Sequence, residues 1–409
     1  MKGDLYQSNV ASKKDPITGV EVLRLTDNKG IYDRPYFTTT QFTADSRYTI
    51  FASDFSGTSV VKNPDAPAIG KVGFGELFSL DLTTGAMLQL TQGEAIKMGH
   101  GCHAAIAPSG KKAYYYSNEE LKQVDLQTLE SKTLMHIPYT NFHSLSITND
   151  ERYLAFTVVE ELPLLAYQFA QINPQSTPGA RERFFREPTS LVIRYDLEKN
   201  DMHVVCGGHR RMTHVSLKPD DGDYMLYCHE GPWELVQRMW MVRVSTDEHW
   251  PLIQQQRNLE RVGHEFFTPS GRVGTQYSYR YKADMPFFVF ADIYCDYDGK
   301  NEERFYYPHT RPAHVSVGPD DLLGVGDRAQ LTADTPQSDK LLSLIQYDTA
   351  DHRANIGVIC RHDSSNRKSA HVHPVFTPDG QHVVFSSDVD GQLNIYMAPV
   401  AQDKVVYRL

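Results

Sequence analysis

The stretch His373–Val400, HPVFTPDGQHVVFSSDVDGQLNIYMAPV, decides the fold. A short apolar segment turns at TPDG, runs through HVVFSS, turns again at DVDG and ends in LNIYMAPV. Pro, Asp and Gly supply the dihedrals of tight turns. Apolar runs this short, bounded by turns, read as strands rather than helices. The stretch is thus three strands of an antiparallel meander. The same phrase recurs upstream: HAAIAPSG from His103, HSLSITND from His143, HVSLKPDD from His214, HEFFTPSG from His264 and HVSVGPDD from His314. A copy from Thr39, TTQFTADS, lacks the histidine. Six of the 17 histidines therefore share one register position.

Periodicity on this scale belongs to repeat architectures, and a four-stranded propeller blade takes roughly 40–50 residues. The register positions 39, 103, 143, 214, 264, 314 and 373 lie 40 to 71 residues apart, so the longer intervals hold insertions. Seven copies predict an all-β, seven-bladed β-propeller forming a single domain over 1–409. The third strand of a copy should end at an Asp-centred turn, as in ELFSLDLTTGAM, LKQVDLQTLES, LVIRYDLEKND and LLSLIQYDTADH. The last copy lacks an outer strand, and the N-terminal ITGVEVLRLTD is suited to supply it. That pairing would close the ring and hide two sheet edges that otherwise invite aggregation. Insertions are expected at about 159–190 and 326–341. Long loops of this kind serve as lids or remain surface excursions.

Composition narrows the function. A net charge of −10 over 409 residues argues against a nucleic-acid surface. Any anion site must then be built from local positive groups. No apolar run is long enough to span a bilayer, and MKGDLYQSNVASKKDP at the N-terminus has no signal-peptide core. Five scattered cysteines without a CxxC read as reduced thiols. Together these point to the cytoplasm, with no membrane partner.

Inner strands of a propeller line its central channel, so the register histidines are expected to converge there. His371 lies two residues before His373 and should face the same side of a strand. His371 and His373, with His314 from the preceding copy, make a plausible set of three metal ligands. Imidazole suits Zn, Mn, Fe, Ni or Cu, so ligand type alone leaves the metal open. The competing reading is scaffolding, in which an inner-strand histidine only hydrogen-bonds a neighbouring backbone. The absence of GxSxG disfavours a serine hydrolase.

CHEGP (Cys228–Pro232), RMW (Arg238–Trp240), HEFF (His264–Phe267), His314 before its PDD turn and HVHPVFTPDG (His371–Gly380) occur in this order. In this the chain resembles the oligogalacturonate lyases, a polysaccharide lyase family built on a seven-bladed propeller, along nearly its whole length, including RPYF from Arg34. The resemblance implies metal-assisted β-elimination on a short acidic oligosaccharide. A proton leaves C5 of a uronic acid, the O4-linked sugar is expelled, and a 4,5-unsaturated uronide remains. It implies a divalent metal, Mn2+ in the family, on His314, His371 and His373. It makes His264 the base and Arg238 its partner at the carboxylate or leaving oxygen. A glutamine ligand is expected three residues before the HxH pair, but that position holds Lys368, and a protonated lysine cannot ligate a metal. Asn366 or water could stand in, or Lys368 could meet the substrate. His214, Arg210, Arg211 and Arg311 are further candidates for binding substrate. Two other classes compete: a non-catalytic propeller that binds a sugar or protein, and a metal-dependent sugar isomerase or hydrolase.

Overall fold

A computed structural model describes residues 1–27, 29–55, 73–137, 140–160, 185–232, 235–255, 260–280, 282, 288–330, 338–366 and 370–406, with the side chains of 140–143 excepted. The described chain is all-β, with almost no helix. It forms two compact units: residues 1–136, 268–270 and 305–409, and residues 137–267 and 271–304.

Each unit is built from antiparallel meanders. In the first unit, one meander runs through Tyr32–Asp33, Tyr48–Ser53, Phe74–Asp81 and Ala86–Gln89, with Leu5–Gln7 added at its edge. A second uses Ala104–Ile106, Lys112–Ser117, Glu120–Asp125 and Ser131–His136. A third uses Val315–Val317, Leu323–Gly326, Leu341–Asp348 and Arg353–Arg361. The last takes Val375–Phe376, His382–Ser387 and Asn394–Pro399 from the C-terminal phrase and Glu21–Arg24 from the N-terminal segment. The expected partner strand is therefore present, with Leu23 opposite Met397 and Arg24 opposite Tyr396.

In the second unit, Thr140–Ile147, Tyr153–Glu160, Thr189–Asp196 and Asp201–His209 form one meander. Met212–Lys218, Asp221–His229, Met239–Arg243 and Glu248–Pro251 form another. Glu260–Phe267, Val273–Tyr279 and Val289–Cys295 form a third.

Local chemistry explains the repetition. In the first turn of a copy, an Asp carboxylate accepts a Thr hydroxyl two residues before it and a backbone N–H two residues after it. Asp45, Asp150 and Asp379 all do this, on Thr43 and Arg47, Thr148 and Arg152, and Thr377 and Gln381. The residue closing this turn is left-handed, as at Gly110 (φ 71°), Gly271 (φ 85°) and Gly380 (φ 69°), where glycine meets no Cβ penalty. At the end of the third strand Asp81, Asp125, Asp196 and Asp348 each accept two successive backbone N–H groups. These are Asx turns that stop the strand and start the hairpin.

Middle strands such as Tyr48–Ser53 and His382–Ser387 carry buried side chains on both faces. Ile50, Leu77, Ala104, Ile106 and Tyr115 pack in one cluster. Leu226, Met239, Met241, Val262 and Ile293 pack in another, in the second unit. Full burial of each such aliphatic side chain contributes about 1.5–3 kcal/mol. This two-sided burial explains why YTIFAS and HVVFSS read as continuous apolar runs. Of the expected insertions, 161–184 and 331–337 lie outside the described residues. Ala329 and Ser338 form an isolated antiparallel bridge at the base of the second. No described helix is long and apolar enough to cross a membrane.

Candidate active site

Three of the six register histidines occupy unusual backbone. His214 (φ 52°), His264 (φ 55°) and His373 (φ 42°) are left-handed, as is Ser144 (φ 54°) beside His143. In the second unit the strand register breaks at the same places, between Thr213 and Ser216, Gly263 and Phe266, and His143 and Leu145. In the second unit the repeated histidine thus sits on or beside a β-bulge, a device that re-aims a side chain. A left-handed non-glycine residue costs on the order of 1–2 kcal/mol, and such strain concentrates at functional positions.

In the first unit four imidazoles come together. Ring centroids of His314 and His373 lie 4.7 Å apart, His314 and His371 5.3 Å, and His371 and His373 5.3 Å. The fourth ring, His100, is 4.4 Å from His371 and 5.4 Å from His373. Ring nitrogens of His100, His371 and His373 all fall within 4.8 Å of one another. His371 and His373 do not meet by strand alternation, as expected from sequence. The strand begins only at Val375, and the left-handed backbone at His373 turns its ring toward that of His371.

The rings are held from behind. His314 Nδ1 bonds Asp327 Oδ2 at 2.6 Å, while Asp327 Oδ1 accepts the backbone N–H of Ala313 and His314. Burial raises the Asp327 carboxyl, but the adjoining His314 outweighs it and holds the group well below the usual range. An ionised Asp327 fixes the proton on Nδ1 and leaves Nε2 to ligate, the arrangement that orients metal-bound histidines. His362 supports Asp327 in turn, donating from Nε2 to its carbonyl at 3.1 Å and accepting the Ser364 N–H at Nδ1. Buried Arg34 donates to the His373 carbonyl at 2.7 Å and to Gln41 Oε1 at 2.9 Å. Tyr36 and Phe37 set their rings against His373 and His314.

Burial pushes His371 down to about 4 and holds His373 well below the usual imidazole range, with neighbouring histidines adding to both. Both are therefore neutral near pH 7. His371 Nδ1 and His373 Nε2 are buried with no hydrogen-bond partner among the described residues. An unsatisfied buried polar atom costs about 1–3 kcal/mol, and neutral imidazole nitrogens aimed at one small volume suit a divalent cation.

The second unit holds a different group. His264 Nδ1 lies 2.7 Å from Oε1 of buried Gln276. With an amide oxygen as acceptor Nδ1 carries the proton, which puts the basic lone pair on Nε2. Arg238, buried, donates from Nε and Nη2 to Glu265 at 3.0 and 3.3 Å. Its Nη1 is 3.6 Å from Glu230. Burial raises both glutamates, but Arg238 and His214, with further nearby donors, together outweigh it and keep both carboxyls low. The His214 ring lies 6.5 Å from that of His264 and reaches Glu230 at 3.6 Å and Glu265 at 3.8 Å. Burial lowers its pKa.

The remaining expected residues divide. Arg211 is close enough to His214 and Glu230 to lower both electrostatically. Arg210, exposed, lies with Nη1 3.4 Å from Nδ1 of His229. Arg311 bonds the Pro312 carbonyl at 3.0 Å, beside His314 in the chain. Asn366 gives its amide to the Asp339 carbonyl at 2.9 Å. Neither His103 nor His314 belongs to the group of nitrogens within 4.8 Å of one another, which His100 completes; His314 adjoins it by ring contact with His371 and His373. Lys368 and the His143 side chain lie outside the described residues. His100, Asp327, Gln276, Glu230 and Glu265 went unrecognised in the sequence.

A family model described as oligogalacturonate lyase matches residues 1–404. The oligogalacturonate lyase of Dickeya dadantii (strain 3937) is 26% identical over 420 residues, covering 98% of each chain. Among solved structures, an oligogalacturonate lyase from Vibrio parahaemolyticus superposes with a TM-score of 0.79 at 25% identity, covering 99% of this chain and 100% of that one. An oligogalacturonate lyase in complex with manganese does so at 0.78 and 23% identity, covering 98% of this chain and 99% of that one. The matches are to enzymes that cleave acidic oligosaccharides, and define the class as an oligosaccharide lyase. The chain belongs to the oligogalacturonate lyase family.

Proposed function

We propose that this chain cleaves short uronate oligosaccharides by metal-assisted β-elimination with His264 as base. The observation that carries the reading is the convergence of His314, His371 and His373, with two buried ring nitrogens that have no hydrogen-bond partner among the described residues. The meanders of both units, together with the Glu21–Arg24 to Asn394–Pro399 pairing, support a closed seven-bladed β-propeller and a single domain over 1–409.

His314, His371 and His373 would hold a divalent cation, with manganese the first to test. Bound there, the cation would neutralise the uronate carboxylate and stabilise charge spreading onto it from C5. His264 takes the C5 proton on Nε2, and Gln276 holds the ring in the tautomer that leaves that atom basic. The C5–H electron pair becomes the C4–C5 double bond, the C4–O4 bond breaks, and the departing oxygen collects a proton. Arg238 serves the carboxylate or leaving oxygen through Nη1, its most loosely paired nitrogen, while Glu265 fixes the rest of the guanidinium. Arg211 and His214 are candidates for substrate contact beside it, and Arg311 beside His314. Arg210 and Lys368 stay in this group on sequence grounds. A cytoplasmic place suits a late step on imported oligomers.

Ultraviolet absorbance of an unsaturated uronide tests the reading directly. Digalacturonate and trigalacturonate should give a rising signal with Mn2+ and none with chelator. A metal-loaded protein that gives no unsaturated product would exclude β-elimination on these substrates.

A further inference from the structure

We propose that His100 completes the metal site of this chain as a fourth imidazole ligand, which shifts its preference toward late, nitrogen-seeking divalent ions. The inference rests on the metal-site reading above and adds to it a residue outside the histidine repeat. His100 comes from GHGCH, ahead of the register position at His103.

Three observations carry it. The first is distance: a ring nitrogen of His100 lies within 4.8 Å of those of His371 and His373, close enough for one ion to touch all three. The second is backbone. His100 is left-handed at φ 76° between Gly99 (φ 101°) and Gly101 (φ 102°). A Cβ on Gly101 would sit 2.7 Å from the backbone nitrogen of Tyr36, so only glycine lets the segment pass this close. A strained histidine between two glycines, held where its ring meets other histidines, is the form of a built site rather than a loose loop.

The third is anchoring. Gly99 N–H donates to Asp33 Oδ2 at 2.6 Å, and Cys102 N–H donates to the Arg34 carbonyl at 2.9 Å. Arg34 also binds the His373 carbonyl through its guanidinium. One residue thus ties the His100 segment and the HVH segment together, and sets the spacing between His100 and His373. Lys368, protonated, cannot ligate, whereas His100 is already in place.

The chemical consequence follows from the donor set. Three imidazoles leave the metal open, but a fourth in place of an oxygen donor makes the environment all-nitrogen, which favours Zn2+, Co2+, Ni2+ and Cu2+ over Mn2+, an ion better served by oxygen. Asp327 behind His314 strengthens the bias, since a carboxylate on Nδ1 raises the ligand's basicity.

The test uses metal-free full-length protein titrated with Co2+ and Zn2+ by calorimetry, with the Co2+ visible absorption recorded at saturation. His100→Gly removes the ring and suits the left-handed backbone, so its metal-free thermal midpoint should stay near the wild-type value. His371→Ala serves as the comparison. The expected result is a Kd weakened at least about tenfold by His100→Gly, the scale already reached by outer-shell changes, with a shifted Co2+ band. Binding within twofold of wild type and an unchanged band, while His371→Ala weakens binding, would overturn the role of His100 and leave the three-histidine site standing. Failure of the wild-type protein to bind any of these ions or Mn2+ would overturn the metal-site reading and this inference with it.

Discussion

Replacing Asp327 with asparagine should weaken metal binding about 10–100-fold with little effect on the fold. Asp327 uses its two oxygens differently: Oδ1 accepts the N–H groups of Ala313 and His314 at 2.8 and 3.1 Å, and Oδ2 meets His314 Nδ1 at 2.6 Å. Asparagine has one oxygen, and two backbone donors hold it in the Oδ1 place. Its NH2 then faces Nδ1, which must become an acceptor, so the ring proton moves to Nε2 and blocks the nitrogen that would ligate. Binding a cation would require the other tautomer, with two donors opposed in a buried setting. An unsatisfied buried donor costs about 1–3 kcal/mol, and each 1.4 kcal/mol is about a factor of ten. The range agrees with roughly 10–100-fold losses at other histidine-supporting carboxylates. Calorimetric titration of metal-free protein with Mn2+ measures the change, with unchanged stoichiometry and thermal midpoint as controls. An affinity within threefold of wild type would refute the tautomer reasoning.

Further expectations concern the second unit and pH. Gln276→Leu should lower kcat about 10–100-fold with KM nearly unchanged, since it removes the group that orients a base worth roughly 10²–10⁴-fold; full turnover would remove Gln276 from the positioning role. His264→Asn, which suits the left-handed backbone better than alanine does, should abolish turnover while the far-ultraviolet spectrum is retained. Glu265→Gln should cost about 1.5–3 kcal/mol in urea unfolding, the worth of a hydrogen bond to a charged group, and a loss too small to detect would mean that Glu230 alone satisfies Arg238. Burial lowers the pKa of His362 from 6.5 to about 4. The unfolded chain therefore binds the extra proton between these values, and stability falls as pH drops from about 6.5 toward 4, by on the order of 3 kcal/mol. A urea midpoint that is flat across that window, or a His362→Gln variant with the same slope, would contradict this assignment.

The elements visible in the sequence were those set by neighbouring residues. The Asp turns at Asp81, Asp125, Asp196 and Asp348 depend on the two N–H groups that follow each aspartate, so a short window contains all the chemistry. The outer strand at Glu21–Arg24 is legible because the last meander lacks a fourth strand and the N-terminal segment can supply it. Asp327 was recoverable, since Val315 lies opposite Gly326 and the tight hairpin therefore sets His314 against Asp327. Gln276 was not, because the bulge at His264 breaks the register on which that inference depends. Glu265 was hidden for another reason: it follows His264 directly and meets Arg238 from another meander. His100 lay outside the repeat, and its one local sign was the pair of flanking glycines.

The strand Glu21–Arg24 also bears on how the chain is made. Thr26 donates to the Asn394 side chain and accepts the N–H of Ile395, 369 residues further on. A ribosome adding about 5–20 residues per second needs roughly 20–70 s to cover that distance. Through that time the early strand has its partner Ala11–Lys14 on one edge and nothing yet synthesised for the other. The two exposed lysines at Lys13 and Lys14 lie on that nascent hairpin, and edge lysines discourage pairing with other chains. The early hairpin is thus guarded against pairing with other chains until Asn394–Pro399 emerges to take it up.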